Sequence, residues 1–163
     1  MELEMKFFIE QIALCPNDPV KAKQLLSDLG LNEWVEDHVV ADGRVFGVSG
    51  TNEADLSFNY QNTRPGDKPL ELEVLDYTTG PNWMSGRRPT VSHIGMHCTE
   101  EELEKFRQKL NTMGIKVAQE VFTRSHTNQF LIDQKRKYHY VIFDTRAILG
   151  TDLKFIVRRE NAG

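Results

Sequence analysis

Along "KFFIEQIALC", residues 6–15, the side chains sort onto two faces. Phe8, Glu10, Ile12 and Leu14 share one, and Gln11, Ala13 and Cys15 share the other. A period of two predicts a strand. The next stretch, "NDPVKAKQLLSDLG", changes to a helical period, with Ala22, Leu25, Leu26 and Leu29 on one stripe. Asp18 suits the N-cap, Pro19 the first helical position and Gly30 the end. Strand patterns return in "EWVEDHVVADGRVFGVS", where Asp42-Gly43 predicts a hairpin turn, then in "EADLSFNYQ" and "LELEVLDY". "NTRPGDKP" reads as a loop.

The same order then runs again. "VSHIGMHC" is a strand. "TEEELEKFRQKLNTMG" is a helix opened by a capping box, Thr99 with Glu102, striped by Leu103, Phe106, Leu110 and Met113 and closed by Gly114. "IKVAQEVFTRS", "YHYVIFDT" and "TDLKFIVRR" follow as strands. Aligning "EQIALC" with "SHIGMH" pairs Gln11 with His93 at an offset of about 82 residues. The helix-ending glycines give about 84, and Glu73 with Lys154 gives about 81. Three landmarks at nearly one offset predict a duplicated β-α-β-β-β unit. The expected fold is therefore α+β: one domain over 1–163, with modules at 6–77 and 91–159 and a linker at 78–90.

Composition narrows the function classes. Hydrophobic content of 39% with 27% charge is that of a globular protein. No apolar run approaches the roughly 18 residues of a membrane span. "MELEMKFF" lacks the basic-then-apolar order of a secretory signal, and Cys15 and Cys98 are too few for a disulfide framework. The expectation is a cytoplasmic protein with no membrane partner. A net charge of −4 argues against a nucleic-acid partner, and "GRR" and "QKRKYHY" read as solvated turns. "GVSGTN" lacks the spacing of either glycine-rich phosphate motif, and there is no nucleophile triad.

The candidate chemistry lies on the strands. Val91, His93, Gly95 and His97 share one face, which suits a polar cavity better than a filled apolar core. Gln11 holds the equivalent place in the first module, with Ala13 behind it. Glu71 and Glu73 alternate on one strand, and Lys154 is the repeat mate of Glu73. Three charges of unequal sign on facing strands favour a site over a structural core. His97, His139 and Lys154 are candidates to contact a ligand. Trp83 and Met84 either pack on the core or cover the cavity mouth.

With "HIGMHC" in the first-strand position and "LEVLDY" in the last-strand position, this order resembles the vicinal oxygen chelate superfamily, the glyoxalase and bleomycin-resistance fold. The resemblance spans about residues 6 to 158. It implies two curved sheets around a shared cavity, with metal ligands in the first and last strand of each module. Carried over, these are Gln11, Glu73 and His93, holding a divalent metal such as zinc, nickel or manganese. Lys154 stands where a Glu is usual, and an ammonium repels a divalent cation. Two readings stay open: a metal on three ligands, or a Glu73–Lys154 ion pair or empty cavity. A two-residue shift would instead bring Asp152 onto the ligand face.

The resemblance implies a metal-dependent small-molecule enzyme of isomerase or lyase type, which chelates substrate oxygens and uses Glu73 or Glu71 as proton acceptor. The alternatives are a non-catalytic small-molecule binding protein of the drug-sequestering kind and a protein-interaction domain. Homodimers are common in such families, so a homodimer is a further expectation.

Overall fold

The computed structural model describes residues 5–61 and 63–159. The first half comprises β1 (Gln11–Cys15), α1 (Pro19–Asp28), β2 (Val35–Val45), β3 (Val48–Asn59) and β4 (Glu71–Thr79). The second comprises β5 (Thr90–His97), α2 (Glu100–Thr112), β6 (Val117–Ser125), α3 (Gln129–Asp133), β7 (Lys137–Phe143), α4 (Arg146–Leu149) and β8 (Asp152–Arg159). The strands close into a barrel in the order β1-β4-β3-β2-β6-β7-β8-β5. Two βαβββ units thus share one continuous curved sheet, as the repeat predicted. The short helices α3 and α4 were not expected. Each is too brief to show a helical period in the sequence.

Strand register makes the duplication explicit. β1 runs parallel to β4 with Ala13 opposite Glu73, and β5 runs parallel to β8 with Gly95 opposite Lys154. β1 and β5 are antiparallel, with Gln11 opposite Gly95 and Ala13 opposite His93. In each module a small residue therefore leaves room beside a long polar one. A Cβ on Gly95 would meet Gln11 Oε1 at 3.1 Å, tighter than usual packing.

The hairpin between β2 and β3 does not turn at Asp42-Gly43. Both residues lie inside β2, and the chain reverses at Phe46 and Gly47, both with positive φ. Gly43 serves the other edge of β2, where the halves of the barrel join. A Cβ there would sit 2.1 Å from the Glu120 carbonyl oxygen of β6. Gly43→Ala is accordingly expected to cost about 1–3 kcal/mol by overpacking against backbone. Urea denaturation checks this, and an unchanged midpoint would mean that the two strands part easily at that point.

The helices differ in what they bury. Thr99 accepts from the Glu102 amide, and α2 buries Leu103 and Leu110 against the sheet. Phe106 packs on Phe155 with ring centroids 4.9 Å apart, although Met113 stays exposed. Asp18 caps α1 through the Lys21 amide, yet α1 buries no residue. Its predicted stripe is largely open, with Leu25 62% and Leu29 74% exposed. A second apolar cluster, with Cys15, Leu56, Leu75 and Ile142, takes in Trp83 and Met84. The linker therefore packs on the core through these two side chains. No helix among the described residues is long and apolar enough to cross a membrane.

Candidate functional site

Gln11 on β1 is buried at the seam between the modules and uses both ends of its amide. Its Nε2 donates to Glu73 Oε2 at 3.0 Å and to Glu71 Oε1. Because two carboxylates take the amino group, the amide oxygen must face the other way, toward His93. The His93 Nε2 to Gln11 Oε1 distance is 2.7 Å, so the imidazole carries its proton on Nε2. Its Nδ1, 3.0 Å from Ser92 Oγ, then accepts from that hydroxyl. Burial, followed by the charge of Lys154, pushes the His93 pKa well down, so the ring is neutral.

Glu73 and Lys154 are both buried. Burial raises the Glu73 carboxyl to about 7, against the pull of Lys154 and with a further push from Glu71. Burial also lowers the Lys154 pKa, and Glu73 and Glu71 oppose that shift. The ammonium lies 4.0 Å from the centroid of the Tyr140 ring, a cation–π contact. No salt bridge joins Lys154 to Glu73 among the described residues. The two charges instead face a shared inner void of about 20 Å³, together with His93, Tyr77, Trp83 and Tyr140.

A wider chamber of about 240 Å³ adjoins this void. Gln11, Tyr60, Glu71, His97 and Tyr138 line it, and Tyr60 donates to Glu71 Oε2 at 2.7 Å. The two spaces share Val39, Leu56, Thr123 and Tyr140 as walls. Thr123 Oγ1 is buried there without a hydrogen-bond partner among the described residues.

The structure therefore brings Gln11, Glu73, His93 and Lys154 together, with His97 exposed at the edge of the wider chamber. His139 lies elsewhere. It lines neither space, and its ring nitrogens meet Glu100 at 3.0 Å and Glu120 at 2.8 Å. It also stacks on Phe122 with centroids 4.5 Å apart. The physical reason is strand alternation: Tyr138 and Tyr140 point inward, which sends His139 outward. The inward residues that sequence reading missed include Tyr60, Tyr138, Tyr140 and Thr123. For the tyrosine pair the signal was present in "YHYVIF", where only one face can line a cavity.

Asp152 does share the inward face with Lys154, as an alternating neighbour on β8, but it is committed to other partners. Trp83 Nε1 donates to its Oδ2 at 3.1 Å, and Arg87 and Arg146 approach the same oxygen at 3.4 and 3.5 Å.

A divalent metal does not fit this donor set as it is arranged. Gln11 Oε1 and His93 Nε2, which would both have to face the ion, are hydrogen-bonded to each other. The ligating nitrogen needs a lone pair where His93 holds its proton. Lys154 brings a positive charge to the fourth place. Among the described residues no cluster of three or more His, Cys, Asp or Glu is disposed to hold a metal ion.

No protein-family model and no curated protein matches the chain. Solved structures do. A methylmalonyl-CoA epimerase in complex with methylmalonyl-CoA and NH4+ matches at TM-score 0.52 and 12% identity, covering 91% of this chain and 92% of that one. A hypothetical protein from Bacillus halodurans matches at TM-score 0.52 and 12% identity, covering 96% and 97%. A 4-hydroxymandelate synthase variant from Streptomyces coelicolor matches at TM-score 0.51 and 12% identity, covering 96% of this chain and 50% of that one. Together with the duplicated βαβββ order and the closed curved sheet, these likenesses show that the chain has the vicinal oxygen chelate fold.

Proposed function

We propose that this protein is a small-molecule enzyme of isomerase or lyase type that works by proton transfer inside the barrel, with Glu73 as the proton acceptor. One observation carries the reading. A buried carboxylate and a buried ammonium face the same void and do not close on each other. Buried charges ordinarily find a direct partner, because an uncompensated one is costly. A ligand between them supplies what each lacks. The inner void is close to the roughly 10–15 Å³ that admits one water-sized group. It has room for one carbonyl or hydroxyl oxygen, and the wider chamber takes the rest of the molecule.

In that placement Lys154 faces the oxygen that gains negative charge, and Glu73 takes a proton from the adjacent carbon. Returning the proton isomerises the substrate, and losing a leaving group makes the step a lyase reaction. A carboxyl with a pKa of about 7 suits this role. Among the structures of similar fold, the epimerase in complex with methylmalonyl-CoA is a small-molecule enzyme by its name.

The test is proton exchange in D2O over a panel of 2-substituted acyl thioesters and 3-oxo acids, followed by NMR. Exchange is expected with at least one class, reduced in Glu73→Gln by about 100-fold or more. The rate in the parent is expected to rise with pH through about 7 and level above it, following Glu73 ionisation. A rate independent of pH across that range would remove Glu73 from the role.

A second reading, ligand binding without chemistry, is favoured by the closed chain of hydrogen bonds from Ser92 through His93 and Gln11 to Glu73. Ligand-induced melting shifts with no exchange in any compound would select it.

A further inference from the structure

We infer that the Lys154 ammonium is the site's own cation, standing in the place where this fold would otherwise call for a divalent ion. The argument begins with register. Lys154 lies opposite Gly95 on β8 as Glu73 lies opposite Ala13 on β4, so the two are mates of the internal repeat. The position nearest in symmetry to a carboxylate ligand thus holds a tethered positive charge. It is enclosed on several sides: the Tyr140 ring lies 4.0 Å away on β7, and His93 from β5 and Glu73 from β4 line the same void.

The other donors are arranged to suit such a cation. His93 donates to Gln11, so its Nε2 has no lone pair to ligate with and Oε1 is turned toward the ring. The amide then turns its amino group to Glu71 and Glu73 and presents them with hydrogen-bond donors. The acidic pair has one ammonium as its neighbouring cation and one amide as a hydrogen-bond donor. A divalent ion added to the void would meet Lys154 at close range, where low dielectric magnifies repulsion. An ammonium also acts differently from a metal. It offers N–H groups to one oxygen at a time and does not chelate two adjacent oxygens. The cation in this barrel is therefore permanent.

This inference concerns the same cavity as the proposed proton transfer but does not depend on it, and its test contains no substrate. The purified protein is titrated with Co(II), followed by visible absorption, elemental analysis and melting temperature. The parent is expected to show no ligand-field bands and no stoichiometric uptake. Lys154→Glu restores a carboxylate at the fourth place and is expected to gain one equivalent of Co(II) with bands and a melting shift. Lys154→Gln removes the charge with little change in length, and it serves as the second variant should Lys154→Glu fail to fold. Its expected result is weaker uptake that is still measurable. One equivalent of Co(II) in the parent, lost in His93→Ala, would overturn the inference. Failure of folded Lys154 variants to gain any metal would also overturn it.

Discussion

Glu73→Gln is expected to gain about 3 kcal/mol of stability relative to the parent between about pH 4 and pH 8. The sign follows from the direction of the shift. The carboxyl titrates at about 7 in the folded protein, up from an ordinary 4.5. Between those values the native state keeps a proton that the unfolded chain releases. The stabilising contribution of the protonated form is complete below about 4.5 and is lost as the pH rises through about 7. Burial is the main cause, opposed by Lys154 and reinforced by Glu71.

Gln has nearly the same shape as the protonated acid and cannot ionise, so the variant lacks this slope. Urea unfolding of both proteins across the pH series measures the difference, which should widen steadily and then level above pH 7. A constant difference would show that Glu73 ionises as freely in the folded state as in the unfolded one. If the exchange activity falls in the same variant, one substitution has raised stability and removed function. That is the usual signature of a charge kept for chemistry rather than for folding.

Much of this was legible in the sequence because strand alternation and repeat spacing are local and rigid. The offset that matched Gln11 to His93 and Glu73 to Lys154 survives in the pairing of Ala13 with Glu73 and Gly95 with Lys154. Gly95 was read as an unfilled spot in a polar face, and it is the space that Gln11 occupies. What failed depended on contacts across the barrel. Asp42-Gly43 has the composition of a tight turn, but Gly43 answers the close approach of β6, some 77 positions away in sequence. The α1 stripe has the period of a packed helix, yet Ala22 and Leu26 are only partly covered and Leu25 and Leu29 stay exposed. Charge alone allows a Glu73–Lys154 ion pair. Whether two side chains meet across a cavity depends on its width, which no periodicity encodes. Lys154 turns to the Tyr140 ring, and Tyr140 was not in view as an inward residue.

The duplicated fold also accounts for Asp152, and Asp152→Ala is expected to lower stability by about 3–5 kcal/mol. By the repeat, Asp152 lies on β8 where Glu71 lies on β4: each is two residues before the charged side chain of the cavity, and each faces inward. The parallel strand pairs run in opposite directions, so the register sets Glu71 level with Lys154 and Asp152 level with Glu73, on successive inward rows. Glu71 serves the wide chamber with Tyr60. Asp152 is fully buried at the linker end, where it takes the Trp83 indole N–H, two guanidinium groups and the Thr145 amide. Burial raises its pKa while Arg146 and Arg87 hold it down.

Removing the carboxylate leaves the indole and the Thr145 amide without their acceptor and leaves two half-buried cations without their partner. At roughly 2–4 °C per kcal/mol for a chain of this size, the melting temperature should fall by about 10 °C. Arg87→Ala, which leaves Arg146 in place, should cost less. A loss below about 1 kcal/mol in Asp152→Ala would mean that the apolar contacts of Trp83 and Met84 hold the linker without help. A large loss would mean that the two modules use repeat-equivalent carboxylates differently. In one the carboxylate faces the ligand, and in the other it locks the floor on which His93 and Lys154 rest.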